Sequence, residues 1–288
     1  MNHPAELAIH QYLSDATDSK SSMSEETITQ ICDDIKEALT KQFGSNEDRK
    51  KFKIRMSNLG RPTCQLWFEK NKPETALPKP NTFVMNMMIG DIVEAIFKGI
   101  LKESGVSYTN SEKVSLPVNN DTVEGTYDLI LNDAVDDIKS ASDWSYKNKF
   151  IDCDTLKDKD SFGYVSQLVG YSVASKKKLG GWWVINKSNG EFKYVSADTV
   201  NIEEELNKIK ATHKTVTDNK FKRCYEAEDE YFRGKPTGNK ILNRECFFCP
   251  YKFSCYDNLK ELPAVKSQAK QPKKVFYVSL AEEYTVGR

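Results

Sequence analysis

The sequence lacks any apolar run approaching the length of a membrane-spanning helix, and it has no excess of charge of either sign. The first absence argues against a helical membrane span. The second, 42 Lys and Arg against 42 Asp and Glu in 288 residues, means that bulk electrostatics announce no polyanionic partner. Any nucleic-acid surface must come from how the charges are distributed, because carboxylates that hold divalent metals offset basic residues elsewhere. The opening MNHPAELAIHQYLSD has no signal-peptide core, which leads to the expectation of an intracellular, cytoplasmic protein with no membrane partner. A disulfide framework is also missing. Seven cysteines, an odd number, without a secretion signal favour reduced thiols available to a metal. No internal repeat and no helicase or nucleotide-binding motif occurs.

What is present is an ordinary globular composition, 39% hydrophobic and 29% charged, in a chain long enough for one large or two modest domains. Residues 1–50 read as a helical N-terminal portion. Ser22 and Glu25 fit a capping box, and Ile28, Ile31, Cys32, Ile35 and Leu39 follow at helical spacing on one apolar face. Met88 to Leu101 reads as a mostly buried helix. Strands are expected at Val114–Val118, Thr122–Leu131 and Ala134–Ser140, the last two joined at Asn132-Asp133. A helix over Ser161–Ser175 precedes two strands, GWWVINK and EFKYVSA, joined at Asn189-Gly190. Charge-rich helices are expected at Ile202–His213 and Asp218–Arg233. In the lysine-rich tail, VFYVSL reads either as an added edge strand or as part of a disordered end. The pattern suggests an α/β or α+β sheet with helices packed on it.

The chemistry-bearing residues lie at two kinds of position. On a strand, Asp137 and Lys139 share one face while Ile138 points to the core. Asp128, on the preceding strand, is close enough to share that face, and two converging carboxylates suit a hard divalent cation. Glu94 is an acid in an apolar helix and needs a partner to offset its desolvation. Gln167 and Tyr171 are four apart on one helix face. Each alone has a plain reading: a solvated strand edge, a salt-bridged acid, an ordinary helix surface. The second kind is thiol. Cys246, Cys249 and Cys255 in ECFFCPYKFSC, with the remote Cys64 in GRPTCQLWF, supply four thiolates, enough for zinc or an iron-sulfur cluster. Cys32, Cys153 and Cys224 have no partners at ligand spacing and read as buried or incidental thiols.

Taken in order, Gly90-x-x-x-Glu94, Asp128, Asp137-Ile138-Lys139 and Gln167-x-x-x-Tyr171 resemble the RecB-type branch of the PD-(D/E)XK nuclease superfamily. The flanking cysteines are similar to those of its iron-sulfur members, found in CRISPR-associated adaptation nucleases, AddB-type helicase-nucleases and a eukaryotic replication helicase-nuclease. The resemblance runs from about Arg55 to Asp257. It implies a restriction-endonuclease-like central mixed sheet flanked by helices, with a nuclease core over residues 51–240, a cluster-closing segment over 241–260 and a tail over 261–288. It implies metal-dependent hydrolysis of DNA, most simply by an exonuclease acting on single-stranded or linear ends in replication, recombination or repair, in a small viral, bacterial or archaeal protein. Glu94, Asp128, Asp137 and the Ile138 carbonyl would hold Mg2+ or Mn2+, Lys139 would orient water or offset charge, and Gln167 and Tyr171 would face the strand being cut. Cys64, Cys246, Cys249 and Cys255 would carry a structural 4Fe-4S cluster, the spacing of one remote cysteine and a close trio matching this branch better than a zinc ribbon.

Two departures matter. Glu94 stands where the iron-sulfur members usually carry histidine, as in lambda-exonuclease-like and YqaJ-like relatives, which favours harder cations such as magnesium. Asp137 replaces the commoner glutamate, with Asp136 beside it as a decoy. Arg55 and Arg61, with Lys51, Lys53, Lys176, Lys177 and Lys178, are candidate DNA phosphate contacts, and of Trp182 and Trp183 one is expected in the core. The rival reading is a non-catalytic DNA-binding or recombination accessory protein that keeps the fold and works through a replication or recombination partner. A site-specific restriction enzyme is disfavoured by the Gln-x-x-x-Tyr motif and the cysteines.

Overall fold

The computed structural model describes residues 3–44, 52–265, 267 and 269–281. In chain order it contains α1 (Pro4–Thr17), α2 (Glu25–Phe43), α3 (Thr63–Asn71), α4 (Asn81–Glu103), β1 (Tyr108–Val118), β2 (Asp121–Leu131) and β3 (Ala134–Ala141). There follow α5 (Asp143–Asn148), α6 (Cys153–Asp158), α7 (Tyr164–Ser175), β4 (Lys178–Asn186), β5 (Phe192–Ser196) and α8 (Ile202–Thr217). The last elements are β6 (Glu228–Phe232), β7 (Lys235–Ile241), α9 (Lys252–Cys255), β8 (Lys260–Pro263) and β9 (Lys274–Ser279). They divide into two compact units, Met1–Gly60 with Pro80–Lys214, and Arg61–Lys79 with Thr215–Arg288.

The first unit is a mixed five-stranded sheet in the order β1-β2-β3-β4-β5, flanked by helices. Only β3 and β4 run parallel; the other neighbours are antiparallel. Parallel neighbours need a crossover, and the segment containing α5, α6 and α7 supplies it. The expected Asn132-Asp133 turn is present, with φ of 51° and 64°, the left-handed pair a two-residue hairpin requires. One apolar layer gathers Met56, Leu116, Val123, Leu168, Tyr171 and Trp182. The other gathers Ile9, Phe97, Leu101, Leu129, Ile138 and Trp183. Both tryptophans are therefore core residues, one on each face of the sheet, and neither offers a stacking surface.

Two N-terminal expectations are corrected. The cap of α2 is Ser24, whose hydroxyl accepts the Thr27 N–H at 3.2 Å, so the Ser22–Glu25 pairing is off by two residues. Cys32 is exposed, as are Ile28 and Leu39; the apolar face of α2 is only partly covered. In α4 the helix starts well before Met88, and burial is confined to its later turns at Ala95, Phe97, Lys98, Gly99 and Leu101.

The second unit carries an antiparallel sheet in the order β6-β7-β9-β8. The helix expected over Asp218–Arg233 does not form. Its end is β6, and Arg233 and Gly234, at φ of 50° and 78°, turn the chain into β7. VFYVS falls in β9, an interior strand between β7 and β8, so this stretch is neither of the two alternatives, a disordered end or an added edge strand. A buried Glu230 ties this sheet together, accepting Tyr277 Oη at 2.7 Å, Asn239 Nδ2 at 2.8 Å and Thr237 Oγ1 at 2.9 Å.

Candidate functional site

The site is built on a fork in the first sheet. The β2–β3 ladder pairs Leu131 with Ala134, Ile130 with Val135 and Leu129 with Asp136, and goes no further. Past that point the Asp128 carboxylate takes the place of a backbone partner, its Oδ2 accepting the Ile138 N–H at 2.7 Å. In a strand the N–H and C=O of one residue point to the same edge, so the Ile138 carbonyl also faces the gap.

Alternation along β3 then sorts the neighbouring side chains. Asp136 faces away from the fork and is fully satisfied by Gly181 N at 2.8 Å, Tyr194 Oη at 2.9 Å and Trp183 Nε1 at 3.1 Å. Gly180 makes room for it, since a Cβ there would lie 2.0 Å from Asp136 Oδ1. Asp137 faces the other way. It is 2% exposed and forms an ion pair with Lys139, but its Oδ2 accepts no aligned hydrogen bond. The expectation that Asp137, and not Asp136, shares a face with Lys139 is met.

Electrostatics mark this as a crowded site. Burial, then the negative charges of Asp137 and Glu94, push the Asp128 carboxyl well above its ordinary range. Burial likewise raises Asp137, with Lys139 opposing and Glu94 and Asp160 reinforcing. Burial opposes the Lys139 charge, yet Asp137 and Asp128 outweigh it and hold the ammonium above its usual value. Lys139 is thus a cation, able to stabilise charge but not to act as a base.

The remaining site residues arrive from the helices. Gln167 Nε2 donates to Tyr171 Oη at 2.8 Å on α7, and the Tyr171 hydroxyl is raised by burial, with Asp137 and Asp128 adding to it. The Tyr171 ring is 3% exposed and fits against Gly125, where a Cβ would lie 2.6 Å from Tyr171 Cε1. Only its hydroxyl, not its ring face, is available to the site. Glu94 is near enough to act on both aspartates, but its carboxylate pairs with the buried Lys98 at 2.6 Å. Three residues escaped the sequence reading: Asp160, Lys149 and Tyr164. Lys139 Nζ lies 5.0 Å from the Tyr164 ring centre, and Lys149 Nζ lies 3.9 Å from Asp160. The Asp160 side chain accepts the Gly163 and Val165 N–H groups, both at 2.9 Å, and so starts α7; an Asp just ahead of the apolar run was the available signal.

The cysteines lie in the second unit. Cys64 opens α3 and is buried, Cys246 closes a 3-10 turn, the Cys249 N–H bonds the Cys246 carbonyl at 3.1 Å, and Cys255 ends α9. Cys224, read as incidental, joins them: its sulfur accepts the Cys64 N–H at 3.1 Å. Its thiol is pushed down to about 6 chiefly by a hydrogen bond from Cys64, which is raised in turn. Burial pushes Cys246 up to about 12, with Cys249, Cys255 and Cys224 adding to it.

Among the described residues, no group of three or more His, Cys, Asp or Glu side chains is disposed around a common point as a closed metal site. Internal partners account for this in the fork, where Lys98 holds Glu94, Lys139 holds Asp137 and the Ile138 N–H holds Asp128. The donor chemistry nonetheless fits. Asp128 and Asp137 in the fork, and Cys64, Cys246 and Cys249 in the second unit, are crowded by like acids and raised in proton affinity, the condition that a bound cation relieves. Of the basic residues, Arg55 is exposed, Arg61 pairs with Glu69 at 3.5 Å, Lys53 with Glu124, and Lys177 with Asp133. Lys176 and Lys178 lie exposed where α7 runs into β4, and Lys51 lies outside the described residues. Among the described residues no helix is long and apolar enough to cross a membrane.

No family model matches the chain, and no curated protein matches it. A solved structure titled "Crystal structure of SSO0001" aligns with a TM-score of 0.43 and 14% identity, over 83% of this chain and 100% of that one.

Proposed function

We propose that the chain is a metal-dependent deoxyribonuclease of the PD-(D/E)XK type, acting on single-stranded or linear DNA ends, with a structural 4Fe-4S cluster on its cysteines. The observation that carries this reading is the fork: strand pairing stops at Leu129 and Asp136, and Asp128, Asp137 and Lys139 converge where it opens.

Asp128, Asp137 and the Ile138 carbonyl would hold Mg2+ or Mn2+, with Glu94 joining once its carboxylate leaves Lys98. A bound divalent ion there polarises the scissile phosphate and lowers the pKa of the attacking water. Asp128 contributes by fixing the Ile138 peptide and, with it, the carbonyl at the gap. Asp137 presents a buried carboxylate whose Oδ2 is ion-paired with Lys139. Lys139, kept protonated by the two aspartates, offsets the charge that builds on the phosphate oxygens. The Tyr171 hydroxyl, aligned by Gln167, supplies a hydrogen bond to the phosphate backbone. In the second unit, Cys64, Cys246, Cys249 and Cys255 would carry the cluster, whose binding energy becomes folding energy. Asp137→Ala and Lys139→Ala are the test: each should lower cleavage of linear DNA by about 1,000-fold with circular dichroism and iron content unchanged, and wild-type rates in either would refute the assignment.

A further inference from the structure

Three aromatic rings rise in near-parallel stack beside the fork. Phe150 is 3% exposed and stacks on Tyr164 at 5.8 Å and 24° between planes. Tyr164 stacks on Phe162 at 5.7 Å and 14°, and Phe162 is 58% exposed. The near-parallel rings therefore run from the core to solvent and end in Phe162, the exposed member. Their middle member is the ring over which the Lys139 ammonium sits, at 5.0 Å.

Phe162 is held out there by rigid backbone. Gly163 has a φ of 78° and packs so closely on Gly60 that a Cβ on Gly60 would lie 2.2 Å from the Gly163 Cα. Asp160 clamps the same turn through the Gly163 and Val165 N–H groups. Lys149 Nζ lies 4.9 Å from the Phe162 ring centre and 4.4 Å from that of Tyr164. A large apolar ring fixed in the open forgoes the burial that would stabilise it.

We infer that Phe162 is a stacking platform for an unpaired nucleobase next to the phosphate cut at Asp137 and Lys139. This rests on the nuclease reading above and adds to it a side chain that would favour unpaired DNA. A planar base can stack on the exposed Phe162 ring, which neighbours the Tyr164 ring over which the Lys139 ammonium sits. Inside a duplex both faces of each base are already covered, so only a single strand or a frayed end can use Phe162. The platform thus selects unpaired DNA by shape, without reading sequence.

The test is steady-state cleavage of a single-stranded oligonucleotide and of a set in which one residue at a time is abasic. Wild-type enzyme should show KM raised about tenfold at a single abasic position beside the cut, with little change in kcat. Phe162→Ala should show that raised KM on the intact strand and no further penalty at that position, and Phe162→Trp should restore the wild-type pattern. An unchanged KM in Phe162→Ala, or an abasic penalty that persists in it, overturns the platform while leaving the nuclease standing. A wild-type protein that cleaves no DNA overturns the nuclease reading itself, and the platform with it.

Discussion

Asp136 and Asp137 are consecutive carboxylates on one strand, and their surroundings give them opposite work. Asp136 is enclosed by three donors and serves the sheet; Asp137 meets Lys139, Asp128 and Glu94 across the fork. Burial pushes Asp136 up to about 7 against its three hydrogen bonds. Its folded-state value is above the unfolded one, so the native state keeps a proton that the unfolded chain releases, and this contribution to stability is lost as pH rises from about 4 to about 7. Asp136→Asn should give urea midpoints that fall less steeply than wild type between pH 4.5 and 8, and identical slopes would contradict this. Strand and helix periods put Asp137 with Lys139 and Gln167 with Tyr171 on shared faces, and each pair does meet; that these residues, with Asp128, form a site was suggested by the family resemblance and not by the periods. Asp160, Tyr164, Phe162 and Lys149 were not legible in the sequence, because they lie in a turn and its flanks, where no period operates.

At the scale of elements, β1 to β5 and α7 declare themselves through alternation and turn chemistry, and the residues Asn132-Asp133 and Gly190 stand where reversals were expected. The second sheet was illegible for a physical reason. EDEYF in β6 is charged at most positions, so it carries no apolar alternation; its strand state comes from pairing across the Arg233-Gly234 turn and from the buried Glu230 network. Tyr277→Phe removes the hydroxyl that bonds Glu230 and should cost about 1–3 kcal/mol in denaturant unfolding; a change near zero would mean the network is incidental. In the first sheet, Gly180→Ala places a methyl on Asp136 and should destabilise by a similar amount, about 1–3 kcal/mol, read as a lowered thermal midpoint.

At the scale of the molecule, the sequence order of cysteine, carboxylates, cysteines corresponds to one unit interrupted by another: Cys64 belongs with Cys246, Cys249 and Cys255, and the fork belongs to the sheet between them in sequence. A 4Fe-4S cluster on these cysteines, as proposed above, would stabilise the unit that contains it. Cys246→Ala, purified without air, should lose iron and sulfide and lower the thermal midpoint of that unit, while stoichiometric zinc and no iron in the wild-type protein would replace the cluster with a zinc site. The central proposal is that the fork cuts DNA. Its most direct measurement is the decay of end-labelled linear single-stranded DNA with Mg2+, beside closed circular DNA, for wild type and Asp137→Ala. Wild type alone is expected to degrade the linear strand progressively, with the loss abolished by chelation and circles left intact; equal decay in Asp137→Ala, or no magnesium-dependent cleavage by either protein, would contradict the proposal.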